Sequence, residues 1–111
     1  MVIELILMVT LTIPAQALAR NINTIVGLSF KDDSANCEVF ISANSRDDAI
    51  SAVIKLWQGS SCIETWKDTA KGILDVTHKA DAEKGKGYTL TVDFTVNGIT
   101  QPTVSTSGTY N

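Results

Sequence analysis

Apolar and polar residues alternate along most of this chain with the two-residue period of half-buried β-strands. The clearest run is Tyr88–Val96, where Tyr88, Leu90, Val92, Phe94 and Val96 interleave with Thr89, Thr91, Asp93 and Thr95. β-Branched and aromatic side chains dominate it, as suits a pleated surface buried on one face. Thr24–Phe30 places Val26, Leu28 and Phe30 on one face, and Lys31-Asp32-Asp33-Ser34 follows as a polar turn. Ala35–Ala43 sets Cys37, Val39 and Ile41 against Glu38, Phe40 and Ser42, and the polar stretch Asn44–Asp48 closes it. In Ile50–Gln58 the phase that buries Ile50, Ala52, Ile54 and Leu56 turns Ser51, Val53, Lys55 and Trp57 outward; the opposite phase would bury Lys55.

Two further strands are predicted over Cys62–Lys67, whose phase the pattern leaves open, and Gly72–Lys79, with Leu74 and Val76 inward. Val96-Asn97-Gly98-Ile99 carries the Asn-Gly pair of a two-residue hairpin, whose central residues both need positive φ. The last strand, Ile99–Ser107, contains Pro102 and many hydroxyl residues, which suits an edge. Seven short strands with turn signals between them predict an all-β, antiparallel sandwich, with no internal repeat.

The first residues follow another rule. Leu5 to Ile13 is apolar apart from Thr10 and Thr12, Pro14 breaks the segment, and Ala17-Leu18-Ala19 precedes Arg20. This is shorter than the roughly 20 apolar residues of a bilayer span and resembles a secretory signal cut after Ala19. Glu4, where such signals carry positive charge, is the one discordant feature. A retained anchor, or a strand over Val9–Ile13, are the alternatives. The expected organisation is thus a signal at 1–19 and one sandwich domain at 20–111, secreted to the extracellular space.

That boundary sets the remaining chemistry. Cleavage removes one of 12 acidic residues and none of the 9 Lys and Arg, taking the net charge from −3 to −2. A mildly acidic chain with mixed signs has no basic stripe for phosphates, so neither nucleic acid nor, after cleavage, a membrane surface is an expected partner. Cys37 and Cys62 are the two cysteines, and in an exported chain such a pair reads as a disulfide, worth about 3 kcal/mol for a loop of this length. The predicted strand order supports this by placing both near one end of the sandwich. The alternatives are two free thiols or a bridge between molecules.

The residues around Tyr88 carry a resemblance. Lys84-Gly85-Lys86-Gly87-Tyr88-Thr89-Leu90 resembles the entry to the sixth strand of immunoglobulin-like and fibronectin-type sandwiches, and Cys37 and Trp57 resemble their second- and third-strand landmarks. The resemblance implies that Tyr88 forms a tyrosine corner. It departs from the antibody-type pattern at Leu90, where a second cysteine would stand, and in the outward phase of Trp57. The chain also looks like small uncharacterised exported β-proteins of Gram-positive bacteria, which implies no activity.

Candidate chemistry is sparse. Asp32, Asp33, Asp81 and Glu83 fall on loops at one end and form a candidate calcium site, without the Asp-x-Asp-x-Asp-Gly spacing of a calcium loop. His78 is the single histidine, and no Gly-x-Ser-x-Gly elbow accompanies it, so neither catalysis nor a cofactor is expected. Trp57, Trp66 and Phe40 form the candidate binding surface, an aromatic platform for a protein or carbohydrate partner. Two roles follow as expectations: a secreted, non-catalytic interaction or adhesion module, or a structural subunit that self-associates through edge strands.

Overall fold

A computed structural model describes residues 22–111; the signal predicted at 1–19 lies outside the described residues. The strands are β1 (Asn23–Lys31), β2 (Ser34–Ser42), β3 (Ala49–Gln58), β4 (Ser61–Lys71), β5 (Ile73–Asp81), β6 (Gly87–Val96), β7 (Ile99–Thr100) and β8 (Val104–Thr109). They form two antiparallel sheets, β1-β2-β5 and β4-β3-β6 with β7 and β8 both pairing β6. The predicted sandwich is therefore present. Its fourth strand stays beside the third instead of crossing to the other sheet.

The alternation places the core. Cys37, Val39 and Ile41 from β2, Ile50, Ala52, Ile54 and Leu56 from β3, and Leu90 and Val92 from β6 are all essentially inaccessible. They face one another between the sheets in the predicted phase, with Trp57 on the outer side of β3.

Three turns fix the register. Asp32 and Asp33 both have positive φ, 53° and 61°, and close the β1–β2 hairpin with Lys31 opposite Ser34. Asn97 and Gly98, at 53° and 80°, make the predicted hairpin with Val96 opposite Ile99. The Asn97 side chain also ties the lower end together, accepting from Ala49 N at 2.8 Å and donating to the Asp48 carboxylate at 2.9 Å. Gly72, with φ of 77°, alone joins β4 in one sheet to β5 in the other. Its carbonyl accepts from Ala43 N, and its N–H donates to Asp48 O, each at 2.8 Å.

The tyrosine corner is formed: Tyr88 Oη accepts from Glu83 N at 2.8 Å, holding the β5–β6 connection against the start of β6. Leu90, at the antibody-type cysteine position, is fully buried.

Two strand expectations are corrected. β4 continues to Lys71, four residues past the predicted end, because Ala49–Leu56 offers a continuous ladder to Glu64–Lys71 beyond a bulge at Leu56/Trp57. The predicted last strand is broken into β7 and β8 around Gln101-Pro102-Thr103, since Pro102 has no N–H to give a ladder.

Candidate interaction surfaces

The three aromatic residues expected to form one platform lie in three places. Trp57 rests on the outer face of the β4-β3-β6-β8 sheet, where its indole N–H donates to Thr91 Oγ1 at 3.0 Å and the Lys55 ammonium lies 5.9 Å from its ring. Phe40 is on the outer face of the opposite sheet, directly across from Ile25. Trp66 points inward, because it is registered opposite buried Ile54. The geometry does not bring them into a single platform, since Trp57 and Phe40 lie on opposite outer faces of the sandwich.

Trp66 instead closes the open seam between β4 and β5. Its ring stacks on His78 with centroids 4.7 Å apart and planes 4° from parallel, and His78 Nε2 meets Asp68 Oδ2 at 2.7 Å. The one histidine is thus committed to joining the two sheets. The other seam is closed by Phe30, which stacks on Tyr110 at 5.3 Å and tilts against Tyr88 at 5.5 Å.

The expected disulfide is absent: Cys37 and Cys62 are both free. They lie toward the same end, as predicted, but Cys37 faces the core from the central strand of one sheet. Cys62 is opposite Trp57 on the outer face of the other sheet's edge strand. Sharing an end does not bring two side chains to one face. Burial pushes the Cys37 thiol up to about 11, so it stays protonated at neutral pH, where the thiolate is the reactive form. A thiol reagent at pH 8 should modify one group per folded chain, at Cys62, and a second only in denaturant, as counted by intact mass.

The acidic residues share an end but not a site. Asp33 N donates to Tyr110 Oη at 3.0 Å, Asp81 ends β5 opposite Ser34, and Glu83 contributes its backbone to the tyrosine corner. Among the described residues no group of three or more His, Cys, Asp or Glu side chains converges to hold a metal ion. The calcium site is thereby corrected to ordinary turn chemistry.

The surface that the sequence reading passed over is the outer face of β1 and its edge. Ile25, 65% exposed, flanks Phe40 on the β1-β2-β5 face with Asp75 on its other side, and Ile73, 55% exposed, lies on the same face opposite Ser42. A notch of about 120 Å³ lies beside Ile25, bounded by Ile25, Gly27, Glu38, Val39, Phe40, Asp75 and Thr77. The signal was present in Thr24–Phe30, where the polar phase of the alternation holds an isoleucine and a glycine.

The four sheet edges differ in how they discourage pairing with another strand. On β4, Glu64 and Asp68 point inward opposite Leu56 and Ala52, a bulge interrupts the ladder, and Lys67 and Lys71 line the outer side. Inward charges, bulges and lysines are the devices that blunt edges. β5 carries Asp75, His78, Lys79 and Asp81. β8 is six residues long, follows Pro102 closely and has Val104 as its one aliphatic side chain. β1 has no charge and no proline from Asn23 to Phe30, and no ladder partner beyond β2 among the described residues.

No family model matches the chain, and no curated protein matches it. Among solved structures it is similar to the solution structure of R. palustris CsgH, at 10% identity over 79% of this chain and 91% of that chain, with a TM-score of 0.47.

Proposed function

We propose that this chain is a non-catalytic extracellular structural subunit that associates with copies of itself through the open edge of β1. The observation that carries the reading is the contrast among edges: three are guarded or short, and β1 is long, uncharged and flanked by exposed Ile25. An unguarded edge presents unpaired backbone N–H and C=O groups that another strand satisfies. The signal-like segment ending at Ala19 supports an extracellular setting. The commitment of His78 to Trp66 and Asp68, and the raised Cys37 thiol, favour a role without chemistry. The strand order, with the fourth strand beside the third, and the corner at Tyr88 support a fibronectin-type reading of the sandwich.

Light scattering coupled to size exclusion, run from low to high micromolar concentration, tests the reading. The parent protein is expected to shift from monomer to dimer or larger, and Ile25→Lys to remain monomeric with the melting temperature of the dilute, monomeric parent. Because Ile25 is largely exposed, lysine there places a charge on the edge without emptying the core. A parent that stays monomeric throughout defeats the proposal.

A second reading is favoured by Trp57, which lies half-exposed on the outer sheet face with its indole held by Thr91. That surface suits a protein or carbohydrate ligand that stacks on an aromatic ring. Trp57→Ala separates the two, since it leaves self-association untouched under the first reading.

A further inference from the structure

The open edge also specifies how a second copy would sit, an inference that rests on the assembly reading above. In a two-residue hairpin the residues flanking the turn form a hydrogen-bonded pair, here Lys31 and Ser34. Parity then runs back along β1. Asn23, Ile25, Gly27 and Ser29 bond to β2, while Thr24, Val26, Leu28 and Phe30 direct their N–H and C=O groups at the open edge. A second β1, antiparallel and related by a two-fold axis, must present the same set of groups. Parity allows an axis at any residue of β1, and those at Ile25, Val26, Gly27 and Leu28 keep Ile25 within a paired stretch of five residues or more.

These registers differ in what meets on the outer face. An axis at Gly27 sets glycine against the partner's Gly27, leaving a gap, and puts Ile25 beside the partner's Ser29. An axis at Leu28 puts Ile25 beside the partner's Lys31. An axis at Ile25 joins the two isoleucines but shortens the overlap and leaves Gly27 beside the partner's Asn23. An axis at Val26 places each Ile25 beside the partner's Gly27, which has no side chain of its own and leaves Glu38 of that copy, across the ladder, as the nearest side chain. A Cβ built on Gly27 would find only Glu38 within 4 Å, with Oε1 at 3.6 Å, and Gly27 opens onto the 120 Å³ notch. Phe40 adjoins Ile25 in each copy, so each row across the joined sheets runs from Phe40 and Ile25 to the partner's Gly27 and the partner's Glu38.

We propose that two copies pair β1 to β1 antiparallel about a two-fold axis at Val26, seating each Ile25 in the notch above the partner's Gly27. The knob and the hole lie two residues apart on one strand, so the surface is self-complementary.

Interchain disulfide trapping reads the register. On a Cys62→Ser background, Ile25→Cys and Gly27→Cys chains carrying tags of different mass are mixed and mildly oxidised. Positions 25 and 27 would face each other as a non-hydrogen-bonded pair, with Cα atoms about 4.5 Å apart, within disulfide reach. The mixed 25–27 product is expected to exceed either like-with-like product several-fold. Dominance of the 27–27 or 25–25 product would overturn the register while leaving edge assembly standing. A parent that never associates, with no cross-link in any mixture, overturns both. Gly27→Val supplies a second readout: its valine fills the notch in a strand position without positive φ, so the monomer should fold at least as stably while association weakens tenfold or more. Undiminished association of that variant also overturns the seating.

Discussion

Replacing Gly72 by alanine is expected to destabilise the fold by about 3 kcal/mol, lowering the melting temperature of a domain this size by some 12–24 °C. Two effects combine. Any L-residue at a φ of 77° costs about 1–2 kcal/mol, and the new Cβ would stand 2.8 Å from Arg46 Cα and 3.0 Å from Arg46 O. The obstacle is backbone, held by the hydrogen bonds from Ala43 N to Gly72 O and from Gly72 N to Asp48 O, so it cannot swing aside as a side chain would. Gly59→Ala and Gly98→Ala are the controls. Both positions have positive φ, 61° and 80°, but open space around the Cβ, and each should cost only about 1 kcal/mol. Thermal unfolding of the three variants separates conformational strain from collision. Equal losses would show that the close approach at the β4–β5 corner contributes nothing.

Leu90→Ala should cost about 2–5 kcal/mol, the range for a fully buried leucine whose surroundings close only partly around the space left. Leu90 is inaccessible, sits opposite Leu56 in its own sheet and faces the other sheet at the landmark position where an antibody-type domain carries a cysteine. No covalent bond crosses the core here, so packing at this position must do what a disulfide does in that pattern. Chemical denaturation checks the value, with Ile73→Ala, 55% exposed on β5, as a surface reference expected within about 0.5 kcal/mol of the parent. A loss at Leu90 no larger than at Ile73 would mean that the centre of the sandwich repacks freely.

Period-two alternation was enough to read strands such as β3 and β6 that have one buried face, because their inward positions are apolar and their outward ones, Val53 apart, polar or amphipathic. Tyr88–Val96 and Ile50–Gln58 were legible for this reason, down to the outward phase of Trp57. The Asn97-Gly98 turn was legible because its φ demand is met by few residue pairs. β4 was not, since an edge strand mixes Glu64, Trp66 and Asp68 on its inner row and so has no clean phase. Which end of the sandwich a cysteine occupies follows from strand order alone; which face it occupies depends on how the sheets stack, and that separated Cys37 from Cys62. The edge at β1 was obscured because its neighbours in space, not its own residues, decide that it lacks a partner.

The two seams bear on when the molecule can finish folding. One is closed by Phe30 stacked on Tyr110, the other by Trp66, His78 and Asp68, and neither contains a sulfur bridge. Reaching the native state therefore waits on no oxidant or particular glutathione poise, and a reducing environment costs the domain no cross-link.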